Sequence, residues 1–280
     1  MSAQFDTAAV RRYYDRHTAT FVRFGQGGGS LHRAVWGPGT TTRDRAFHFV
    51  DDLISRRIRG LSSPHTPHVV DLGCGVGASL IYLAQRTPIR GTGITLSPAQ
   101  AVIAQHAIAA AGLPDRVTCL EGDYCDLPST LAPADAAYAI ESFVHGPSPE
   151  RFFAQCGRLI KHGGLLIVCD DFKRPGLPPV AVRALRQFKN GWHINALLER
   201  AELLAVGEAS GFEHESTDDL TPFLEIRRAR DRAIGALLTI AQWLPRATRN
   251  RLDPVIGGHA LQTCLAEGWV GYDFIVFRRA

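Results

Sequence analysis

The chain has 280 residues, a formal net charge of +4 and 45% hydrophobic residues, enough for one large α/β domain with an insertion or lid. The charge is mild and no dense Lys/Arg run exists, so nothing calls for a nucleic-acid partner. No apolar signal segment opens the chain, and Ile234 to Leu244 is too short to span a bilayer. Cysteines 74, 119, 125, 156, 169 and 264 form neither a CxxC pair nor a metal spacing, which predicts reduced, mostly buried thiols and no metal site. These totals predict a cytoplasmic protein and leave a homo-oligomer open.

Residues 1–66 precede the core and read as an N-terminal helical lid. Thr7 to Thr20 has a helical pattern containing Tyr13-Tyr14-Asp15. The glycines 27–29 then lead into Leu31-His32-Arg33-Ala34-Val35-Trp36. These aromatics suit either a lid over a pocket or ordinary loop packing. Thr41 to Leu61 is a second helix, with Phe47, Val50, Leu53 and Ile54 on one face.

Residues 67–280 read as a Rossmann-like α/β domain. Its first strand ends in Asp71, followed by Gly73, Gly75 and Gly77 and then by the helical Ala78 to Ala84. A strand, a glycine turn and a helix N-terminus form a nucleotide-binding start, since glycine admits close backbone approach. A dinucleotide site needs G-x-G-x-x-G, whereas this spacing is G-x-G-x-G, and an acid at position 71 suits a ligand bearing a cationic amine. The second strand, Gly91 to Leu96, runs into Ser97-Pro98-Ala99-Gln100, a capping box that starts a helix reaching Gly112. Val117 to Glu121 is the third strand, Ala136 to Glu141 the fourth and Leu165 to Cys169 the fifth. A helix from Ser148-Pro149 to His162-Gly163-Gly164 joins the last two. Beyond them, Glu213 to Leu220 and Trp269 to Arg278 read as two more strands. Between these, a helical insertion at about 222–266 carries Arg227, Arg228, Arg230, Trp243 and Arg246. The alternation predicts a seven-stranded, mostly parallel sheet whose strands present polar residues at their C-terminal ends: Asp71, Thr95 with Ser97, Asp123 with Tyr124, and Glu141.

Asp71-x-Gly73-x-Gly75-x-Gly77 resembles motif I of class I S-adenosylmethionine (SAM) methyltransferases. Gly93-Ile94-Thr95-Leu96-Ser97-Pro98-Ala99-Gln100 resembles a segment of one group among them, which includes the geranyl diphosphate and sterol C-methyltransferases and the cyclopropane synthases. Tyr13-Tyr14-Asp15 with Leu31-His32-Arg33-Ala34-Val35-Trp36, and Glu141-Ser142-Phe143-Val144-His145, resemble two further motifs of that group. The resemblance covers roughly residues 10–170. It implies SAM as cofactor, held by the glycine turn with Asp71, Thr95 and Ser97, and by Asp123 and Tyr124 at the adenine. Asp123 also suits a plain turn residue.

The same resemblance implies C-methylation of a small isoprenoid, a prenyl diphosphate in the first instance. O- or N-methylation of another natural product is the alternative. Loss of a proton from a methylated alkene needs a base: Glu141 is the first candidate and His145 the competitor, and the aromatic faces of Tyr13, Tyr14 and Trp36 can shelter positive charge. A bland strand-end carboxylate and a loop histidine bonding backbone are the respective alternatives. Tyr13, His32, Arg33, Trp36 and His193 are the candidate substrate contacts. Arg12, Arg23, Lys189, Arg227 and Arg228 are further cations for a diphosphate, which Mg2+ can share.

Overall fold

The structure, a computed structural model, describes residues 4–24, 32–61, 65–226, 228 and 252–280. The expected glycine loop 27–29 and Arg227, Arg230, Trp243 and Arg246 of the insertion lie outside the described residues.

The strands are β1 (His68–Leu72), β2 (Arg90–Thr95), β3 (Val117–Glu121), β4 (Ala134–Ile140), β5 (Ile160–Lys173), β6 (Phe212–Asp219) and β7 (Val270–Arg279). They form one sheet in the order β3-β2-β1-β4-β5-β7-β6. β7 runs antiparallel to both β5 and β6, while the pairs from β3 through β5 are parallel. The order reverses between β1 and β4, which opens a crevice at the carboxyl ends of those strands.

Both faces are covered, as a largely parallel sheet requires. α3 (Phe49–Arg59), α4 (Ala78–Arg86) and α5 (Pro98–Ala110) pack Ile54, Ile58, Leu80, Leu83, Ala104 and Ile108 on one face. α6 (Pro149–Leu159), α7 (Ala181–Trp192), α8 (Arg200–Ala209) and α9 (Asp253–Ala266) pack Phe152, Phe153, Phe188, Leu203 and Leu261 on the other. All six cysteines are free and buried, and no described helix is long and apolar enough to cross a membrane.

The local starts follow the sequence. Ser97 caps α5 by accepting from the Gln100 N–H, with Pro98 in the first turn, and Ser148 caps α6 in the same way. Several boundaries differ from expectation: α1 runs on to Phe24, past Thr20, and β5 spans Ile160–Lys173 rather than Leu165 to Cys169. The helix expected over 41–61 is α2 (Arg43–Phe47) and α3, broken at His48, whose backbone leaves the helical region while its ring reaches Asp51. α6 ends at Leu159, because Ile160 is extended and begins β5 opposite Ala134.

α1 (Thr7–Phe24) crosses the strand ends. Arg11 pairs with Glu121 at 2.9 Å, Thr7 donates to Asp123, and Asp15 accepts from the Ser97 hydroxyl. Gly191 on α7 lies so close to Gly257 on α9 that a Cβ there would come within 2.6 Å of the Gly257 Cα. The described part of the insertion is thereby tied to the sheet's helical face.

Candidate active site

One cavity of about 400 Å³ opens at the strands' carboxyl ends, between α1, the glycine turn, β4 and α9. Of the expected site residues, Tyr13, Tyr14, His32, Arg33, Gly73, Gly75, Thr95, Ser97, Tyr124, Glu141 and His145 line it.

Gly73, Gly75 and Gly77 all have positive φ, at +99°, +54° and +80°. At Gly73 a Cβ would sit 2.4 Å from the Ser142 Cβ, so the turn closes directly on the segment after β4. Gly77 shapes the turn from behind the cavity as the left-handed N-cap of α4. Asp71 does not face the cavity. Strand alternation sends it to the α3 side, where it accepts from the Tyr138 hydroxyl at 2.9 Å, and burial raises its pKa to about 8.

The next two strand ends differ from expectation in detail. Thr95 donates to Gln100 Oε1 at 2.8 Å, so the Gln100 side chain does not complete a capping box. Its Nε2 is buried without a partner, and the residue lines the cavity. An orphaned amide donor at this place fits the hydroxyls of a ribose. Sequence reasoning treated Gln100 only as a cap and motif residue. Asp123 is the turn residue: it accepts from the Cys125 N–H at 2.7 Å and lies off the cavity. Tyr124 is on the wall, its hydroxyl donating to the Ser142 carbonyl.

Glu141 is firmly occupied. One oxygen, Oε1, accepts from the Arg33 N–H at 2.9 Å and the Tyr272 hydroxyl at 3.0 Å, with Arg33 Nε at 3.2 Å. Arg33 also makes two parallel bonds of 2.9 Å to Asp171 and stacks 4.2 Å over the Tyr272 ring. Burial pushes the Glu141 pKa up, but Arg33, His32 and these hydrogen bonds outweigh it and hold it below the ordinary range. Its backbone has φ +49°, an uncommon conformation for glutamate.

His145 sits differently, on a short 3₁₀ turn over Phe143–His145. Its Nδ1 lies 3.2 Å from the His193 carbonyl, which can only accept, so Nδ1 carries the proton. Nε2 is then an acceptor, and the Tyr14 hydroxyl donates to it at 2.7 Å. Burial lowers the His145 pKa to about 4, which keeps the ring neutral. Asn195 holds this corner, donating to the carbonyls of His145 and Phe5.

The remaining expected contacts are placed as follows. His32 reaches the Ser79 hydroxyl at the start of α4. His193 caps α7 at φ +53° and packs its ring on Phe5 and Tyr13, away from the cavity. Trp36 is off the cavity too, because the bridge of Val35 to Leu224 turns its neighbour's backbone toward Phe223. Among the other cations, Arg228 lines the cavity and pairs with Glu225 at 3.1 Å, as does Arg43 at 3.5 Å, while Arg12 and Lys189 do not line it. The Arg23 side chain is outside the described residues. Asp171 and Tyr272 were not anticipated; the acid pair Asp170-Asp171 at the end of a strand was the available signal.

A crevice at the β1–β4 switch point with a glycine turn and an unpartnered ribose-type donor defines an enzyme of the Rossmann-like, nucleoside-cofactor class. A methyltransferase-domain model matches residues 69–164. O-methyltransferase rstn1 of Aspergillus nomiae is 28% identical over 76% of this chain and 92% of its own length. The [4+2]-cyclase SpnF superposes with TM-score 0.73 at 25% identity, covering 100% of this chain and 97% of that one. A geranyl diphosphate methyltransferase bound to GPP and sinefungin superposes with TM-score 0.75 at 18% identity, covering 98% and 99%. Residues 69–164 thus form a methyltransferase domain on a Rossmann-like methyltransferase fold, and the chain is a SAM-dependent methyltransferase.

Proposed function

We propose that this methyltransferase O-methylates a hydroxyl of a small, largely uncharged natural product, with His145 as the base and Tyr14 as its partner. The observation that carries it is the fixed tautomer of His145, which aims a neutral acceptor nitrogen at Tyr14 on the cavity wall. When bound, SAM supplies the methyl group. The acceptor hydroxyl donates to the Tyr14 oxygen. As its oxygen takes the methyl group and the methyl–sulfur bond breaks, leaving a neutral thioether, the acceptor's proton would pass to Tyr14 and the Tyr14 proton to His145 Nε2. Glu141 anchors Arg33 and stays ionised. The sequence relative supports this reading, being named an O-methyltransferase.

Charge supports it as well. The cavity's Arg33, Arg43 and Arg228 are each paired with a carboxylate, so a diphosphate would have to displace an existing ion pair among the described residues. C-methylation of a prenyl diphosphate, with Mg2+ at the diphosphate, is the second reading. What favours it is Glu141 on the wall beside the aromatic Tyr14, a pair that suits a transient cation. In either case α1 and residues 32–40 act as a lid, within a division of the chain into residues 1–66 and 67–280.

Incubation with methyl-labelled SAM and a panel of phenols, macrolide-type alcohols, sterols and prenyl diphosphates tests the proposal. A labelled methyl ether is the expected product. Label at carbon of a prenyl diphosphate supports the second reading instead. An acceptor isomerised without gain of mass would overturn both.

A further inference from the structure

A second cavity of about 340 Å³ lies beside α2 and α3, lined by residues 38–40 and by Arg45, Asp52, Ser55, Arg56, Arg59 and Arg86. It shares no lining residue with the first. The helix period explains how it is built. Asp52, Ser55, Arg56 and Arg59 recur at i, i+3, i+4 and i+7, one face of α3, while Val50, Ile54 and Ile58 bury the other. Arg45 of α2 and Arg86 from the last turn of α4 close the ring.

Four arginines and one acid give this small cleft a formal charge of 4 − 1 = +3, most of the chain's net +4. Of the other described arginines, Arg11, Arg33, Arg43, Arg57, Arg174, Arg200, Arg228 and Arg278 each pair with a carboxylate, whereas scattered ones such as Arg90, Arg151, Arg183 and Arg186 do not. None of the cleft's four has such a pair among the described residues. Their polar contacts go to backbone carbonyls, Arg56 to Asp52 and Arg59 to Arg86, and Arg86 stacks 3.7 Å over Tyr82. The single acid is already engaged, since Asp52 accepts from the Tyr82 hydroxyl at 3.0 Å. Helix C-termini favour cations, which accounts for Arg56, Arg59 and Arg86 singly. It accounts in the same way for Arg45, in the last turn of the short α2, but not for the convergence of all four on one concavity.

We propose that this cleft binds a small phosphate-bearing anion carrying at least two phosphates, separately from the methyl-transfer site. Guanidinium forks match phosphate oxygens in pairs, and the volume exceeds that of a lone inorganic ion. The shared chemistry is the diphosphate group, whether free or carried on a nucleoside. Calorimetry of the full chain with inorganic pyrophosphate and with ADP, at constant ionic strength, separates those two sources. Saturable one-site binding of one or both is expected. The Arg45→Glu/Arg56→Glu variant should weaken it by at least about tenfold, with SAM affinity and melting temperature unchanged. No saturable heat with either probe would overturn the proposal. So would equal affinity in the variant, which places the anion elsewhere, or binding only to polyanions such as heparin, which makes the cleft part of a macromolecular surface.

Discussion

The cavity has two ends that use polar residues in opposite ways. At the Glu141 end the charges hold one another: Arg33 joins Glu141 and Asp171, and Tyr272 closes the group. At the His145 end the contacts are neutral, a phenol on an imidazole that is itself set by a backbone carbonyl. Glu141 is held low by its arginine and His145 is lowered to about 4 by burial, so both are weak bases at rest. What separates them is that Glu141 is tied to Arg33, while His145 offers its acceptor nitrogen to a phenol on the wall and gains the proton as charge moves to the acceptor. The comparison teaches that being on the cavity wall does not distinguish a structural charge from a reacting group. What distinguishes them is whether the group is already paired.

The sharpest way to break both ends together is at Gly73, which touches Ser142, the residue after Glu141 and three before His145. Gly73→Val combines a positive-φ position with a clash at 2.4 Å, and we expect measurable SAM binding to disappear in calorimetry. Next comes the charged end alone. Arg33→Ala leaves Glu141 and Asp171 without their cation, so chemical denaturation should show a loss of about 3 kcal/mol, while Tyr14→Phe should cost far less stability.

Proton linkage separates the ends in another way. His145, lowered to about 4, stays neutral well below the usual imidazole range. The acid limb of kcat should therefore fall near pH 4 and not between pH 6 and 7, checked by a pH–rate profile. Asp71 carries the opposite sign: its folded pKa, raised to about 8, means that the folded state binds the extra proton between the unfolded value and pH 8. Stability from Asp71 is thus present at low pH and lost as pH rises toward 8, and Asp71→Asn should flatten that slope in thermal melts. The smallest effect concerns neither end: Gln100→Ala removes the unpartnered donor, and SAM affinity should drop about tenfold.

Much of the sheet is legible in the sequence, because apolar runs ending in acids or glycines alternate with capped helices. The break at His48 is not, since neither glycine nor proline marks it and the bond from its ring to Asp51 that accompanies it is visible only in the structure. In the site, the glycine turn is readable because positive φ demands glycine. The status of Glu141 is not, because the arginine that neutralises it stands 108 residues earlier. Nor is the Tyr14–His145 bond, made across 131 residues. Asp71 shows the limit of motif spacing: its position follows the pattern, yet the strand's pleat turns it toward Tyr138.

The central claim is that the neutral end moves the proton and the charged end holds the scaffold. Its most direct test is the single-turnover rate at saturating SAM, using whichever hydroxyl acceptor of the panel reacts fastest, in His145→Ala and Glu141→Gln. We predict a rate reduced by ~10²-fold or more in His145→Ala, the scale of a lost general base, and a rate within a few-fold of the parent in Glu141→Gln, with SAM affinity near the parent value in both. A ~10²-fold loss in Glu141→Gln beside a nearly intact His145→Ala would contradict the account and return the base to the strand-end carboxylate.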